Sequence, residues 1–471
     1  MNAWQKSLAQ IVGANHVLTD ADAKPFLTDW RGKFSGQAKA VVRPKNTQEV
    51  AAVVKWCYGH QVPIIPQGGN TSLVGGAVPN QSGDGIVLLM TRMNQIDETD
   101  LDNDTITLGA GCVLQDVQEH AFKNNRLFPL SLGAEGSCTI GGNLATNAGG
   151  TQVIRYGNMR SLTLGLEVVG ANGAVWDGLR GLRKDNTGYA LRDLFIGSEG
   201  TLGIITKATI QLFPLPAAQC TAMVAIASIE EALQLLKLVK KGFGPALTGF
   251  EIMSNQTLQM VEQAFTNQHI PFSNSSKTAP WFGLIELSDS ESAEHGQQQF
   301  ENILGQALSD NLIQDAAIAN NLTQSKAFWH LRDSISLAQN QAGKSIKMDI
   351  TIPISRIPEF IRQTDQILQE KFPGIVNLSF GHLGDGNIHY NVGGSDNFND
   401  ADIVNAEASV YELVHQQVYA FNGSISAEHG IGQLKNQALR QYKSPIEMQM
   451  MRAIKDTLDP QGIFNPGKIF T

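Results

Sequence analysis

AKAVVRPKNTQEVAAVVKWCYGHQVPIIPQGG, residues 38–69, reads as strand, helix, strand and glycine turn. Val41 and Val42 form a short strand stopped by Pro44. Asn46 can cap the helix that follows, with Glu49 three places on as reciprocal partner. Val50, Val53, Val54 and Cys57 recur at helical spacing and make its buried stripe. VPIIP is the next strand. Strand, helix and strand this close together open a βαβ unit, whose crossover is right-handed. Outward from it, IVLLM (86–90) and DTITLGAG (104–111) read as further strands. VLQDVQEHAFKNN (113–125) is helical, and SLTLGLEVVGANGAVW (161–176) is a hairpin around Asn172-Gly173.

LFPLPAAQC (212–220) resists a continuous helix and marks a boundary. Beyond it, helical SIEEALQLLKLVKKGF (228–243), strand-like WFGLIELSDS (281–290) and KMDITIPI (347–354), and helical RIPEFIRQTDQILQEKF alternate. The expected fold class is α+β. Its parts are an N-terminal domain over 1–217, a second α+β domain over 218–412 and a C-terminal segment over 413–471.

Length and composition narrow the function. The 471 residues suffice for two or three cores, and a net charge of −9 makes a nucleic-acid partner a poor expectation. Four widely spaced cysteines with no Cys-x-x-Cys pair suit a reduced compartment. No apolar run is long enough for a transmembrane segment, and the N-terminal stretch lacks a secretory pattern, so a cytoplasmic location is expected.

Three glycine-rich stretches adjoin apolar strands: PQGGNTSLVGGAVP (66–79), LSLGAEGSCTIGGNLATNAGG (130–150) and GSEGTLGIITKATIQLFP (197–214). Without a Cβ, backbone amides approach an oxyanion closely, and three such loops suit an extended phosphate or dinucleotide site. No Gly-x-Gly-x-x-Gly opens a helix, so the nicotinamide fingerprint is missing. GIFNPGKI (462–469) mimics a Walker loop, but Ile469 stands where a magnesium-binding hydroxyl belongs.

SFGHLGDGNIHYN (379–391) places two histidines around a tight turn. With Asp385-Gly386 as the central residues, His382 would stand opposite His389, both rings on one face. GSISAEHGIG (423–432) adds Glu428 and His429. His382, His389 and Glu428 make a His2Glu set with an open position, leaving His429 for proton transfer. The bland alternative, hydrogen-bonded histidines in a turn-rich core, stays open for each one singly. Arg332 and Ser336 stand four apart on one helix face, and Arg332 and Lys347 are candidate charge-assisted anchors for a carboxylate. Asn391, two places past His389, would share that ligand's face.

Taken together, PQGGNTSLVGG, GAEGSCTIGGNLATNAGG, GSEGTLGIIT, GHLGDGNIH, SAEHGIG and FNPGKI resemble the FAD-linked oxidase family of vanillyl-alcohol-oxidase type, over roughly residues 20–471. The resemblance implies a two-part FAD domain of PCMH type, closed by the C-terminal tail, with an α+β substrate cap. Within the family the chain is most similar to the enzymes that oxidise D-2-hydroxyglutarate to 2-oxoglutarate. FAD would lie against Pro66, Gly68, Gly69, Asn70, Thr71 and Ser72 of the first loop. The second would contribute Gly133, Gly136, Ser137, Gly141, Gly142, Asn143, Thr146, Asn147 and Gly149. Glu199, Gly200, Gly203, Ile204 and Asn465 would complete its surroundings. Asn70 stands where the family's covalent attachment uses histidine, so FAD would be held non-covalently.

The resemblance also assigns the metal, Zn2+ or Mn2+, to His382, His389 and Glu428, and catalysis to His429. It assigns the 2-hydroxy acid to Arg332, Ser336, Lys347, Asn391 and His429. Ser336 replaces the usual threonine and keeps the hydroxyl. Electron-transferring flavoprotein or a quinone-linked chain would accept the electrons, and a homodimer is expected. The rival readings are a dehydrogenase for D-lactate, D-malate or D-2-hydroxy acids broadly, and a non-catalytic flavin-binding module of a complex.

Overall fold

The computed structural model describes residues 3–273 and 276–470. Two compact units divide the chain: Met1–Gly150, Gly157–Leu215 and Glu428–Thr471 form the first, and Thr151–Tyr156 with Pro216–Ala427 the second. The helix Asp400–Ala420 runs through the boundary expected at 412 and belongs whole to the second unit.

In the first unit, a four-stranded sheet has the order Val17–Leu18, Ala40–Val42, Ile86–Leu89, Ile64–Gln67. The two strands of the opening βαβ unit are not neighbours; both pair in parallel with Ile86–Leu89, which lies between them. Helix Thr47–His60 connects them. Asn46 Oδ1 accepts the Glu49 N–H at 2.9 Å, and the Glu49 carboxylate takes the N–H of Lys45 at 2.9 Å. Val50, Val53, Val54 and Cys57 are fully buried. A second, antiparallel sheet has the order Ile96–Asp100, Thr105–Gly109, Ile204–Gln211, Thr163–Val169, Val175–Gly178. The last two strands form the hairpin expected around Asn172-Gly173.

The C-terminal tail returns to the first sheet. Ile64 N–H donates to Ile463 O at 2.7 Å, and Asn465 N–H donates to Ile64 O at 2.8 Å. Ile463 and Phe464 are buried by that docking.

The second unit is built on a seven-stranded antiparallel sheet. Its order is Asp315–Ile318, Ala218–Ile226, Trp281–Asp289, Leu247–Ser254, Phe380–His382, Asn387–His389, Asp349–Thr351. Met223, Met253, Phe282 and Leu284 pack on Leu258, Phe328, Leu331 and Ile335 from the helices that cover it. Helices Ile229–Phe243 and Ala293–Ser309 start at Ser228 and Ser292, whose hydroxyls accept the first-turn N–H groups. Among the described residues no helix is long and apolar enough to cross a membrane.

Candidate functional site

The histidine turn joins two neighbouring strands of the second unit's sheet, with Leu247–Ser254 on one side and the edge strand Asp349–Thr351 on the other. Phe380 pairs with His389, Gly381 with Ile388, and His382 with Asn387. The loop is therefore four residues, Leu383 to Gly386, rather than two. Asp385 and Gly386 both donate their N–H to His382 O, at 3.2 and 3.1 Å, and Lys240 Nζ reaches Gly384 O at 3.0 Å. The register differs from the expected one by two residues, which leaves every side chain on its face. His382 and His389 thus lie diagonally rather than opposite. Their ring centroids are 5.5 Å apart at 76°, and one nitrogen of each lies within 4.8 Å of one of the other.

A residue without a motif orients His382. Glu251 lies on the strand Leu247–Ser254 directly across from His382, and it is fully buried. His382 Nδ1 donates to Glu251 Oε1 at 2.5 Å, and Arg332 Nε donates to Oε2 at 2.8 Å. Burial alone would raise the Glu251 pKa; His382 and the Arg332 guanidinium outweigh it and hold the carboxyl down to about 2. With Nδ1 turned to Glu251, Nε2 is the nitrogen that faces Arg332, 3.4 Å from Nη2. Asp349 is paired across the sheet with His389 and lies 4.0 Å from its Nδ1. Each imidazole so has a carboxylate behind it, as a metal-ligating histidine commonly does. The only sequence sign of Glu251 was a lone carboxylate in the apolar strand LTGFEIMS.

Other expected anchors fall into place unevenly. The helix carrying Arg332 ends at Asp333, and a new one runs from Ile335 to Ala342, so Arg332 and Ser336 do not share a continuous helix face. Ser336 is exposed. Lys347 Nζ donates to Ser336 O at 3.3 Å and Asn340 Oδ1 at 2.5 Å, which brings those residues together. Asn391 is not on the strand of His389; that strand ends at His389, and the Asn391 N–H turns back to the His389 carbonyl at 2.9 Å. Its side chain accepts from Met348 N and donates to Gln339 Oε1, so one amide N–H remains for a ligand.

In the first unit the glycine loops press on one another. A Cβ on Gly69 would lie 1.8 Å from Ser137 O, one on Gly68 2.1 Å from Thr139 Oγ1, and one on Gly200 2.4 Å from Pro66 Cγ. Ser72 Oγ accepts the N–H groups of Val74 and Gly76. Gly133 faces open space, and Gly142 lies beside Thr139. Gly136 approaches Gln115. Asn143, Thr146 and Asn147 serve the loop itself, through Cys138 Sγ, Gly142 O and Arg160 N. Gly141 packs on Ala110, Gly203 on Val168 and Phe195, and Ile204 is a core residue, which explains these three by protein packing alone.

Glu199, with φ +52, points its carboxylate at another loop: Oε1 and Oε2 accept the N–H groups of Ile431 and Gly432, each at 2.7 Å. That clamp fixes the backbone just after Glu428 and His429. Burial raises the Glu199 pKa against those hydrogen bonds. Asn465 Nδ2 donates to Gly76 O and Glu199 O.

Three buried acceptors or hydroxyls in this cradle, Asn70 Oδ1, Thr139 Oγ1 and Asn465 Oδ1, have no hydrogen-bond partner among the described residues. Buried polar atoms left so are costly, and their position beside the glycine loops fits a polar cofactor. The residues of the histidine hairpin fit a divalent cation by donor chemistry: two imidazoles, one with its second nitrogen fixed by a carboxylate.

Residues 38–178 match the family model described as FAD binding domain, and residues 215–469 match that of FAD linked oxidases, C-terminal domain. A protein of Arabidopsis thaliana described as "D-2-hydroxyglutarate dehydrogenase, mitochondrial" is 37% identical over 462 residues, covering 98% of this chain and 80% of the relative. One of Rattus norvegicus with the same description is 38% identical over 460 residues, covering 96% and 82%. Among solved structures, p-cresol methylhydroxylase with substrate bound has a TM-score of 0.76 at 17% identity, covering 99% of this chain and 96% of its own. That likeness shows the mixed α+β fold. The cytoplasmic location expected from the sequence is corrected by the relatives, both of which are described as mitochondrial.

Proposed function

The chain belongs to the FAD-linked oxidase family, and on that premise we propose that it oxidises D-2-hydroxyglutarate to 2-oxoglutarate. It is an FAD-dependent dehydrogenase of a D-2-hydroxy acid. The observation that carries the finer reading is the histidine hairpin with Arg332 beside it, a cation-binding pair next to a carboxylate-binding guanidinium.

FAD would be held non-covalently against the loops at 66–72, 133–149 and 199–204 with Asn465, and would supply the hydride acceptor. Zn2+ or Mn2+ would be held by His382, His389 and Glu428, supplying Lewis acidity toward the 2-hydroxyl. Support for Glu428 comes from the chain itself. Ser424 is bridged to Thr351, on the strand whose Asp349 faces His389, and four residues of chain reach about 14 Å at most.

The protein's own groups do the rest. His429 takes the hydroxyl proton on an imidazole nitrogen. Arg332 and Lys347 bind carboxylate oxygens through N–H donors, with Ser336 beside Lys347. The remaining Asn391 N–H orients the C1 carboxylate. Fixing the acid in one pose lowers the barrier by orientation. Electrons leave to an electron-transferring flavoprotein or a quinone-linked acceptor.

The test is anaerobic bleaching of the visible flavin band by D-2-hydroxyglutarate, its L isomer, D-malate and D-lactate, with and without EDTA. D-2-hydroxyglutarate should bleach fastest and chelation should slow it at least about tenfold. Faster bleaching by D-lactate would overturn the diacid, and indifference to EDTA would overturn the cation.

A further inference from the structure

We propose that Glu251 is a positioning residue that ties the metal ligand His382 to the substrate-binding Arg332, so that one buried carboxylate prepares both halves of the hydroxy-acid site. This deepens the reading above and rests on it. The two oxygens of Glu251 are divided between the two functions: Oε1 holds His382 Nδ1 and Oε2 holds Arg332 Nε. Three consequences follow from chemistry. With Nδ1–H committed, Nε2 is the one nitrogen of His382 able to ligate a cation. With Nε committed, a substrate carboxylate would take the Arg332 Nη groups, whose contacts include two long ones, Nη1 3.4 Å from Asp333 Oδ1 and Nη2 3.4 Å from His382 Nε2. The guanidinium also lies over Phe380, 5.6 Å from the ring centroid, which limits its rotation.

A neighbouring buried carboxylate serves as a control. Glu286 sits on the adjacent strand and is held by Thr248, Trp329 and Gln152, none of which belongs to the proposed site. A general need for buried charge in this sheet would make the two glutamates equivalent; a positioning role singles out Glu251.

Glu251→Gln keeps the shape but sets an NH2 group against either His382 Nδ1–H or Arg332 Nε–H. FAD-loaded protein stripped by chelator is titrated with Zn2+. Glu251→Gln should bind Zn2+ 10- to 100-fold more weakly, roughly the loss expected of an outer ligand partner. Its flavin spectrum should be unchanged. Saturating Zn2+ should restore kcat and leave KM for D-2-hydroxyglutarate raised, because Arg332 has lost its tether. Glu286→Gln should bind Zn2+ like wild type. Equal Zn2+ affinity in wild type and Glu251→Gln, or equal losses in both glutamine variants, would overturn the proposal while leaving the parent reading intact. Wild-type protein that takes up no Zn2+ would sink the parent reading and this one with it.

Should Glu251→Gln not fold, nitrogen-resolved histidine spectra of metal-free wild type, assigned with His382→Gln, decide the matter. Protonated Nδ1 with bare Nε2 is the expected tautomer, and the reverse overturns the proposal.

Discussion

Lys347 Nζ donates to two oxygens, Ser336 O and Asn340 Oδ1, and in the proposed site its ammonium binds the distal carboxylate of the diacid. Lys347→Ala should therefore raise KM for D-2-hydroxyglutarate by about tenfold or more, on the order of 1.4 kcal/mol, and change D-lactate kinetics little. Equal losses on both acids would remove the distal-carboxylate role. Lys468 presents the opposite case. It is 2% exposed, its Nζ donates to Val78 O at 2.7 Å, and burial lowers its pKa to about 8 against the pull of Glu199. A base with a depressed folded pKa carries fewer protons folded than unfolded. Stability therefore rises as pH climbs from about 8 toward the usual lysine value, by up to about 1.4 kcal/mol per unit. Urea melts of wild type and Lys468→Met should diverge between about pH 8 and about pH 10.5, wild type gaining with pH. Parallel curves would mean the ammonium is not desolvated.

At the scale of elements, the hairpin of His382 and His389 depends on a backbone position more than on its turn. Gly381 has φ +150, and a Cβ there would lie 2.7 Å from Asn387 O across the strand pair. Gly381→Ala should part the strands and weaken Zn2+ binding at least about tenfold, while flavin absorbance stays. Zn2+ affinity equal to wild type would show that the strand pairing does not hold the imidazoles. The same hairpin shows where sequence reasoning reached its limit. Helix Thr47–His60 was legible because cap and apolar period are local, and Asn172-Gly173 specified its hairpin for the same reason. The histidine turn has an equally plain Asp-Gly, yet its register is set from elsewhere: by Lys240, 144 residues away in sequence, and by Glu251 on the neighbouring strand. Side-chain period two preserved the shared face of the histidines even though the pairing moved. Glu251 itself carries no motif, and the break at Ser334 has neither glycine nor proline to announce it. Glu199 was legible as part of a glycine loop, but its partners, the N–H groups of Ile431 and Gly432, lie more than two hundred positions on.

At the scale of the whole molecule, chain order is the governing fact. The first unit is assembled from three segments, and the two segments of the second, Thr151–Tyr156 and Pro216–Ala427, are inserted between them. The final ten residues, which begin at Gly462, therefore act on loops nearly four hundred positions upstream: Asn465 Nδ2 donates to Gly76 O and Lys468 Nζ to Val78 O. Ile463 and Phe464 fill the core beside Ile64. Ending the chain after Gln461 removes both effects together and should destabilise the first unit by at least about 3 kcal/mol, the scale of losing one buried aromatic. The purified protein should be colourless. Asn465→Ala separates the two contributions. It keeps the tail's apolar contacts and deletes the amide that joins Gly76 O to Glu199 O, so the melting temperature should fall only slightly. Flavin affinity should drop about tenfold, because two cradle loops lose their common donor. A yellow truncated protein, or an Asn465→Ala variant that binds FAD as wild type does, would show that the tail packs on the cofactor unit without shaping its site.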